Sequence, residues 1–253
     1  MIRLITIITF FTMTFMTVRS QDFTADISGR QDKFVLVSEN FESNSATPYI
    51  KNIKNSFTCG ENSILFNGLV YHTVSYMGRC WLDRNLGAKE VAKTPDDKYG
   101  FGDYYQWGRL MDGHQDKNSI TTYLLSEIDN PGCSCFMTST TPPYDWHVPQ
   151  NDRLWNKRNN NPCPAGWRVA SKSDFDILLS NCSDLFSSPL KIPASGYRDG
   201  ATGKISNTGT KIMLWTSDTS DEKAYFLLSD KKQKKIKKLT RANGLPVRCV
   251  RTE

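Results

Sequence analysis

Seven cysteines behind an apolar N-terminal run constrain this chain more than any other feature. Leu4 to Val18 is apolar apart from threonines, Arg3 supplies a short positive head, and Val18-Arg19-Ser20 offers small residues for cleavage. The run is about 14 residues long, against roughly 20 for a bilayer span, so residues 1–20 read as a secretory signal peptide. No cysteine sits at the expected cut, which argues against a lipid anchor there, and no later stretch is apolar enough to cross a membrane. In an oxidising compartment, Cys59, Cys80, Cys133, Cys135, Cys163, Cys182 and Cys249 are expected to form disulfides, with one left over. A metal site would call for Cys-x-x-Cys pairs or clustered histidines. The chain has no such pair, only three scattered histidines (His72, His114 and His147), and Cys133-x-Cys135 alone is a weak metal signal. No metal and no cofactor are expected.

After residue 20 the sequence suits one β-rich domain with a lead-in, long enough to bury a core. Residues 21–56 are polar with little periodicity, Phe34 to Val37 being a candidate short strand, and read as a linker. From residue 57 the pattern changes. Ile64-Leu65-Phe66 and Leu69-Val70-Tyr71 flank Asn67-Gly68, a hairpin signal. Thr73 to Tyr76 and Cys80 to Leu82 continue as strands around a turn at Met77-Gly78-Arg79. Cys59 and Cys80 flank this sheet, where a cross-strand bridge is one option. Asp103 can cap a helix to about Met111, with Tyr104, Trp107, Gly108 and Met111 on one face.

Residues 114–162 are rich in Asn, Pro, Ser, Thr and Asp but hold cysteines and aromatics, so they read as a fixed loop region and not as disorder. Cys163-Pro164-Ala165-Gly166-Trp167 is a rigid turn ending in a buried Trp. Ser171-Lys172-Ser173-Asp174 is a variant capping box opening a second helix, with Phe175, Leu178, Leu179 and Cys182 on its buried face. Strands follow at Leu190–Ala194, Lys211–Thr216, Ala224–Leu228 and Leu245–Arg251. Two helices beside small antiparallel sheets and long loops define an α+β domain.

The order of motifs resembles the Fibrobacter succinogenes major paralogous domain, a bacterial extracellular module. The resemblance spans about 57–251 and rests on Phe57-Thr58-Cys59-Gly60, Cys80-Trp81-Leu82-Asp83-Arg84-Asn85-Leu86-Gly87-Ala88, Gly102-Asp103-Tyr104-Tyr105-Gln106-Trp107-Gly108-Arg109, Asn161-Pro162-Cys163-Pro164-Ala165-Gly166-Trp167-Arg168-Val169, Leu214-Trp215-Thr216-Ser217 and Val247-Arg248-Cys249-Val250-Arg251. It implies a domain at 57–253 with a C-type-lectin-like fold, distantly akin to formylglycine-generating enzymes. It also implies bridges Cys163–Cys249 and Cys59–Cys80. Cys133, Cys135, Cys182 and the lysine-rich segment Asp230 to Arg241 depart from the family pattern.

Catalysis finds little support: no Gly-x-Ser-x-Gly, His-Glu-x-x-His or phosphate loop is present. The formylglycine-generating cousins use a cysteine pair near the end of the domain, where this chain has Cys249 alone. A lectin-type calcium site needs a central proline and a Trp-Asn-Asp triad. Gln150-Asn151-Asp152 and Trp215-Thr216-Ser217-Asp218 supply neither. Tyr144, Trp146 and Trp155, with Gln150 and Asp152, are the candidates for contacting a sugar from the loop face. Lys231, Lys232, Lys234, Lys235, Lys237, Lys238 and Arg241 are the candidates for binding a polyanion. Their seven charges exceed the formal net charge of +6, so the rest of the chain is near −1.

The expectation is a secreted or cell-surface, non-enzymatic recognition module for a glycan or other extracellular polymer, anionic polymers included. The alternative is a structural or adhesive protein with a protein partner. Neither nucleic acid nor an integral membrane segment in the processed chain is expected.

Overall fold

A computed structural model describes residues 33–35 (backbone only), 57–155 and 160–252. The expected signal peptide and most of the lead-in lie outside the described residues. Strand β1 (Lys33–Val35) runs parallel to β2 (Asn62–Phe66). β2 turns into β3 (Leu69–Tyr76) through Asn67 and Gly68, at φ 47° and 73°, the left-handed pair that lets a two-residue loop follow the twist of its strands. Met77-Gly78 repeats the device before β4 (Arg79–Leu82).

The chain continues through β5 (Tyr105–Gln106), β6 (Thr121–Thr122), β7 (Phe136–Met137) and β8 (Trp167–Val169) into α1 (Lys172–Asn181). It then forms β9 (Tyr197–Arg198), β10 (Ile205–Ser206), β11 (Ile212–Ser220), β12 (Lys223–Ser229), β13 (Lys234–Thr240), β14 (Gly244–Leu245) and β15 (Cys249–Arg251). The sheets are ordered β1-β2-β3-β4-β15-β8, β10-β9-β14-β5, β11-β12-β13 and β6-β7.

The three-stranded sheet separates two hydrophobic clusters. Met213, Trp215, Ala224, Phe226 and Leu228 face one, with Trp107, Trp146 and Trp155. Ile212, Leu214 and Leu227 face the other, with Phe175, Leu178 and Cys182 of α1 and its C-cap. The alternation follows the two-residue period of the strands, confirmed by the pairs Trp215↔Phe226 and Leu214↔Leu227. The helix begins as the sequence indicates. Ser171 Oγ accepts a hydrogen bond from Asp174 N, and the Asp174 carboxylate accepts one from Ser171 N.

Two expectations are corrected. The described residues are mostly β and contain a single α-helix, so the α+β, two-helix C-type-lectin-like arrangement is not found. The missing helix is the one expected at 103–111. Tyr105 and Gln106 pair instead with Leu245 and Gly244, Trp107 N donates to Arg241 O at 3.2 Å, and the Gln106 side-chain amide donates to Met137 O and Ala242 O at 2.7 and 2.8 Å. A helix would forfeit these bonds, so tertiary pairing overrides the 3.6-residue period. Leu190, Ile192 and Ala194 are buried but lie in an irregular segment, not in the expected strand.

Three disulfides are formed: Cys59–Cys80, Cys163–Cys249 and Cys133–Cys135, leaving Cys182 as a buried free thiol. Among the described residues no helix is long and apolar enough to cross a membrane.

Candidate functional site

The loop-face candidates divide by burial. Trp146 and Trp155 are fully or almost fully buried, and their indole N–H groups donate to Trp107 O and Arg109 O. They hold the long loop onto the core and offer no face to a sugar. Gln150 Nε2 donates to Asp145 Oδ2 and Glu222 O at 2.9 and 3.0 Å. Asp152 accepts from Arg241. Tyr144 alone of the five presents an exposed ring, at a φ of 59°. Trp146, Gln150, Asp152 and Arg241 are thus brought together, but around the buried Asp145 as a structural tie.

The lysine-rich segment is strand β13, the free edge of its sheet. Its register places Lys235 and Lys237 opposite Leu228 and Phe226, and Lys234, Ile236 and Lys238 opposite Ser229, Leu227 and Tyr225. Ile236 packs into the α1 cluster, which fixes which side each lysine takes. Lys234 donates to Cys182 O, and Lys238 donates to Ser220 Oγ at 2.6 Å beside Asp221. Lys231, Lys232, Lys235 and Lys237 are exposed and have no acidic partner among the described residues. Arg241 leaves the set. It is 1% exposed, donates to Asp152 and Asp221 O, and lies 4.9 Å over the Trp107 ring.

A second locus is one that motif reading passes over: a cleft of roughly 350 Å³ lined by Gly87, Ala88, Lys89, Lys98, Tyr99, Gly102, Asp103, Asp116 and Lys117. Asp103 N donates to Leu86 O, which draws the two loops together. The Asp103 carboxylate then rests so close to the Gly87 Cα that a Cβ there would lie 2.2 Å from Oδ2. Gly87, at φ 81°, is the residue that permits this approach. Burial pushes the Asp103 carboxyl up to about 7, the nearby Asp116 charge pushes the same way, and the Tyr105 hydroxyl opposes them weakly. Among the described residues no cation or backbone amide donates to the carboxylate. Tyr105 is fully buried, and its hydroxyl is turned toward the Asp103 carboxylate. Tyr99 stands half-exposed on the rim, with Lys98 Nζ 5.7 Å from its ring centre.

In the sequence Asp103 reads as a helix cap. The absence of a helix after it is what frees its carboxylate for the cleft. The available signal was the pair of glycine-containing segments Leu86-Gly87-Ala88 and Gly102-Asp103, both of which permit close backbone approach.

An apolar groove of about 310 Å³ lies elsewhere, walled by Leu124, Leu125, Ile128, Pro131, Cys133 and Met137. Among the described residues no group of three or more His, Cys, Asp or Glu side chains is placed to hold a metal ion. Searches against protein-family models, curated proteins and solved structures find no match to this chain.

Proposed function

We propose that this chain is an extracellular recognition module that binds an anionic polymer, an acidic glycan foremost. One observation carries the reading: Lys235 and Lys237 on the free edge strand, and Lys231 and Lys232 in the turn before it, stand exposed with no acidic partner among the described residues. Side chains two apart on a strand project on the same side at intervals of about 7 Å. Lys235 and Lys237 therefore form a regular row, with Lys231 and Lys232 extending the positive charge into the adjoining turn. The rest of the chain is near neutral, so the field is local and favours an extended, multiply charged ligand over a diffuse counter-ion cloud. Lysines on an edge also discourage sheet-to-sheet pairing, and the same charges serve both purposes. The three disulfides suit an oxidising environment, and the N-terminal apolar run suits export. The resemblance of the motif order to the Fibrobacter succinogenes major paralogous domain is in keeping with the same setting.

The test is retention on immobilised heparin and on polygalacturonate. The oxidised protein is expected to bind both, to elute earlier as salt rises, and to lose retention when Lys231, Lys232, Lys235 and Lys237 are changed together to Gln. Retention unaltered by that change sinks the reading. A glycan array probed with the same two proteins identifies the preferred polymer.

A further inference from the structure

We infer that the Gly87–Asp103 cleft is a binding subsite for a single acidic sugar residue, separate from the lysine row. The inference deepens the anionic-glycan reading and rests on it for the class of ligand. It draws on observations that the lysine row does not share.

The cleft has the size and lining of a small-ligand site, with a few polar groups converging in a concavity. Its chemistry selects the ligand. The Asp103 carboxylate is lodged between two loops with the buried Tyr105 hydroxyl behind it, and among the described residues no cation or amide donates to it. A carboxylate has about four lone-pair sites, and Tyr105 fills one of them at most, so a hydroxyl-bearing ligand can donate to the others from the cleft side. The exposed Tyr99 ring gives a flat apolar face, suited to the C–H face of a pyranose.

Lys89, Lys98 and Lys117 outnumber Asp103 and Asp116. That balance favours an acidic substituent on the sugar and disfavours an ammonium group. In the resulting arrangement Asp103 accepts from ring hydroxyls, Tyr99 underlies the ring, and the lysines face the carboxylate or sulfate. Gly87 is what makes room: any side chain there would occupy the space that Asp103 takes.

The experiment titrates tetragalacturonate, and its fully methyl-esterified form, into the oxidised full chain, followed by calorimetry and by amide chemical shifts. The acidic tetramer is expected to bind with shifts at Tyr99, Asp103 and Lys117, and the ester much more weakly. At pH 8, where Asp103 is mostly ionised, Tyr99→Ala and Asp103→Asn should each weaken the tetramer roughly tenfold, the loss expected for one stacking contact or one charge-assisted hydrogen bond. Tyr99 is exposed, so its replacement leaves the core intact.

The four-lysine Gln variant should keep tetramer affinity while losing polymer retention, which separates failure of the subsite from failure of the strand. Wild-type protein that ignores the tetramer, equal binding of acid and ester, or unchanged affinity in Tyr99→Ala and Asp103→Asn would each overturn the subsite.

Discussion

The guanidinium of Arg241, immediately after the lysine strand, donates to Asp152 of the long loop and lies 3.9 Å from the buried Asp145 carboxylate. The two acids differ in consequence. Asp145 is 2% exposed, whereas Asp152 is 63% exposed. Removing the cation from a buried pair strands a charge in the interior, at a cost of about 3–5 kcal/mol. Arg241→Met should therefore lower stability by about that amount, measured from urea-unfolding midpoints. Asp152→Asn should cost less than about 1 kcal/mol, because its partner keeps Asp145 and solvent screens the bond. Equal effects would show that the tie runs through Asp152 and not through Asp145.

The disulfides should contribute unequally. Cys163–Cys249 spans 86 positions and Cys133–Cys135 spans two. In the chain-entropy account, the long bridge contributes about 5 kcal/mol and the short one about 1–2 kcal/mol. Replacing Cys163 and Cys249 by Ala is expected to lower the thermal midpoint far more than replacing Cys133 and Cys135 by Ser. Comparable losses from the two pairs, by calorimetry under oxidising conditions, would refute a chain-entropy origin.

Asp174 joins the helix cap to the six-stranded sheet. Its carboxylate accepts from Ser171 N at 2.7 Å, Arg168 Nη1 at 2.6 Å and Arg79 Nε at 2.9 Å. Burial alone would raise its pKa, but these donors, Arg168 foremost, hold it down to about 2. A carboxyl depressed from its ordinary 3.8 stabilises the fold above that value and loses the contribution as pH falls through about 2. Asp174→Asn should cost about 2 kcal/mol at neutral pH and progressively less as acid protonates the wild-type group. A penalty of the same size at pH 2 and pH 7 would count against this origin.

What the sequence made legible was mostly local. Asn67-Gly68 must take left-handed torsions, and Ser171 with Asp174 carries both halves of a capping box, so hairpin and helix could be placed without tertiary knowledge. The segment 103–111 shows the limit. Tyr104, Trp107 and Met111 have helical spacing, yet Tyr104 donates to Ser195 O and Trp107 Nε1 to Thr216 O. Period alone does not reveal that such residues serve separate neighbours. Trp146 and Trp155 were legible as loop aromatics but not as buried ones, since a loop that folds back on the core has the same composition as one that does not. Arg241 adjoins the lysines in sequence, but the strand ends at Thr240 and the chain turns inward there. The cleft depends on Gly87 meeting Asp103, a contact that no periodicity announces.

Asp103 and His114 should shape the pH dependence of stability in opposite directions. Burial lowers His114 from its ordinary 6.5 to about 4, with Asp112 opposing the shift and Arg109 adding to it. Between those values the unfolded chain binds a proton that the folded chain refuses, so this group makes stability rise with pH. Asp103 is displaced upward from 3.8 to about 7 by burial and by Asp116. Over that range the folded state keeps a proton that the unfolded state has released, so this group makes stability fall as pH rises. Between about pH 4 and 6.5 these two groups therefore offset one another. Asp103→Asn removes only the falling contribution, while Asp116, Tyr105 and the cleft lysines Lys89, Lys98 and Lys117 remain. The variant should gain stability as pH rises through that window and exceed wild type at pH 8 by about 2 kcal/mol, a figure discounted for the cleft's access to solvent. Thermal midpoints of the two proteins from pH 4.5 to 8 decide the matter. A difference that does not change with pH would mean that the Asp103 carboxyl ionises no differently in the cleft than in the unfolded chain.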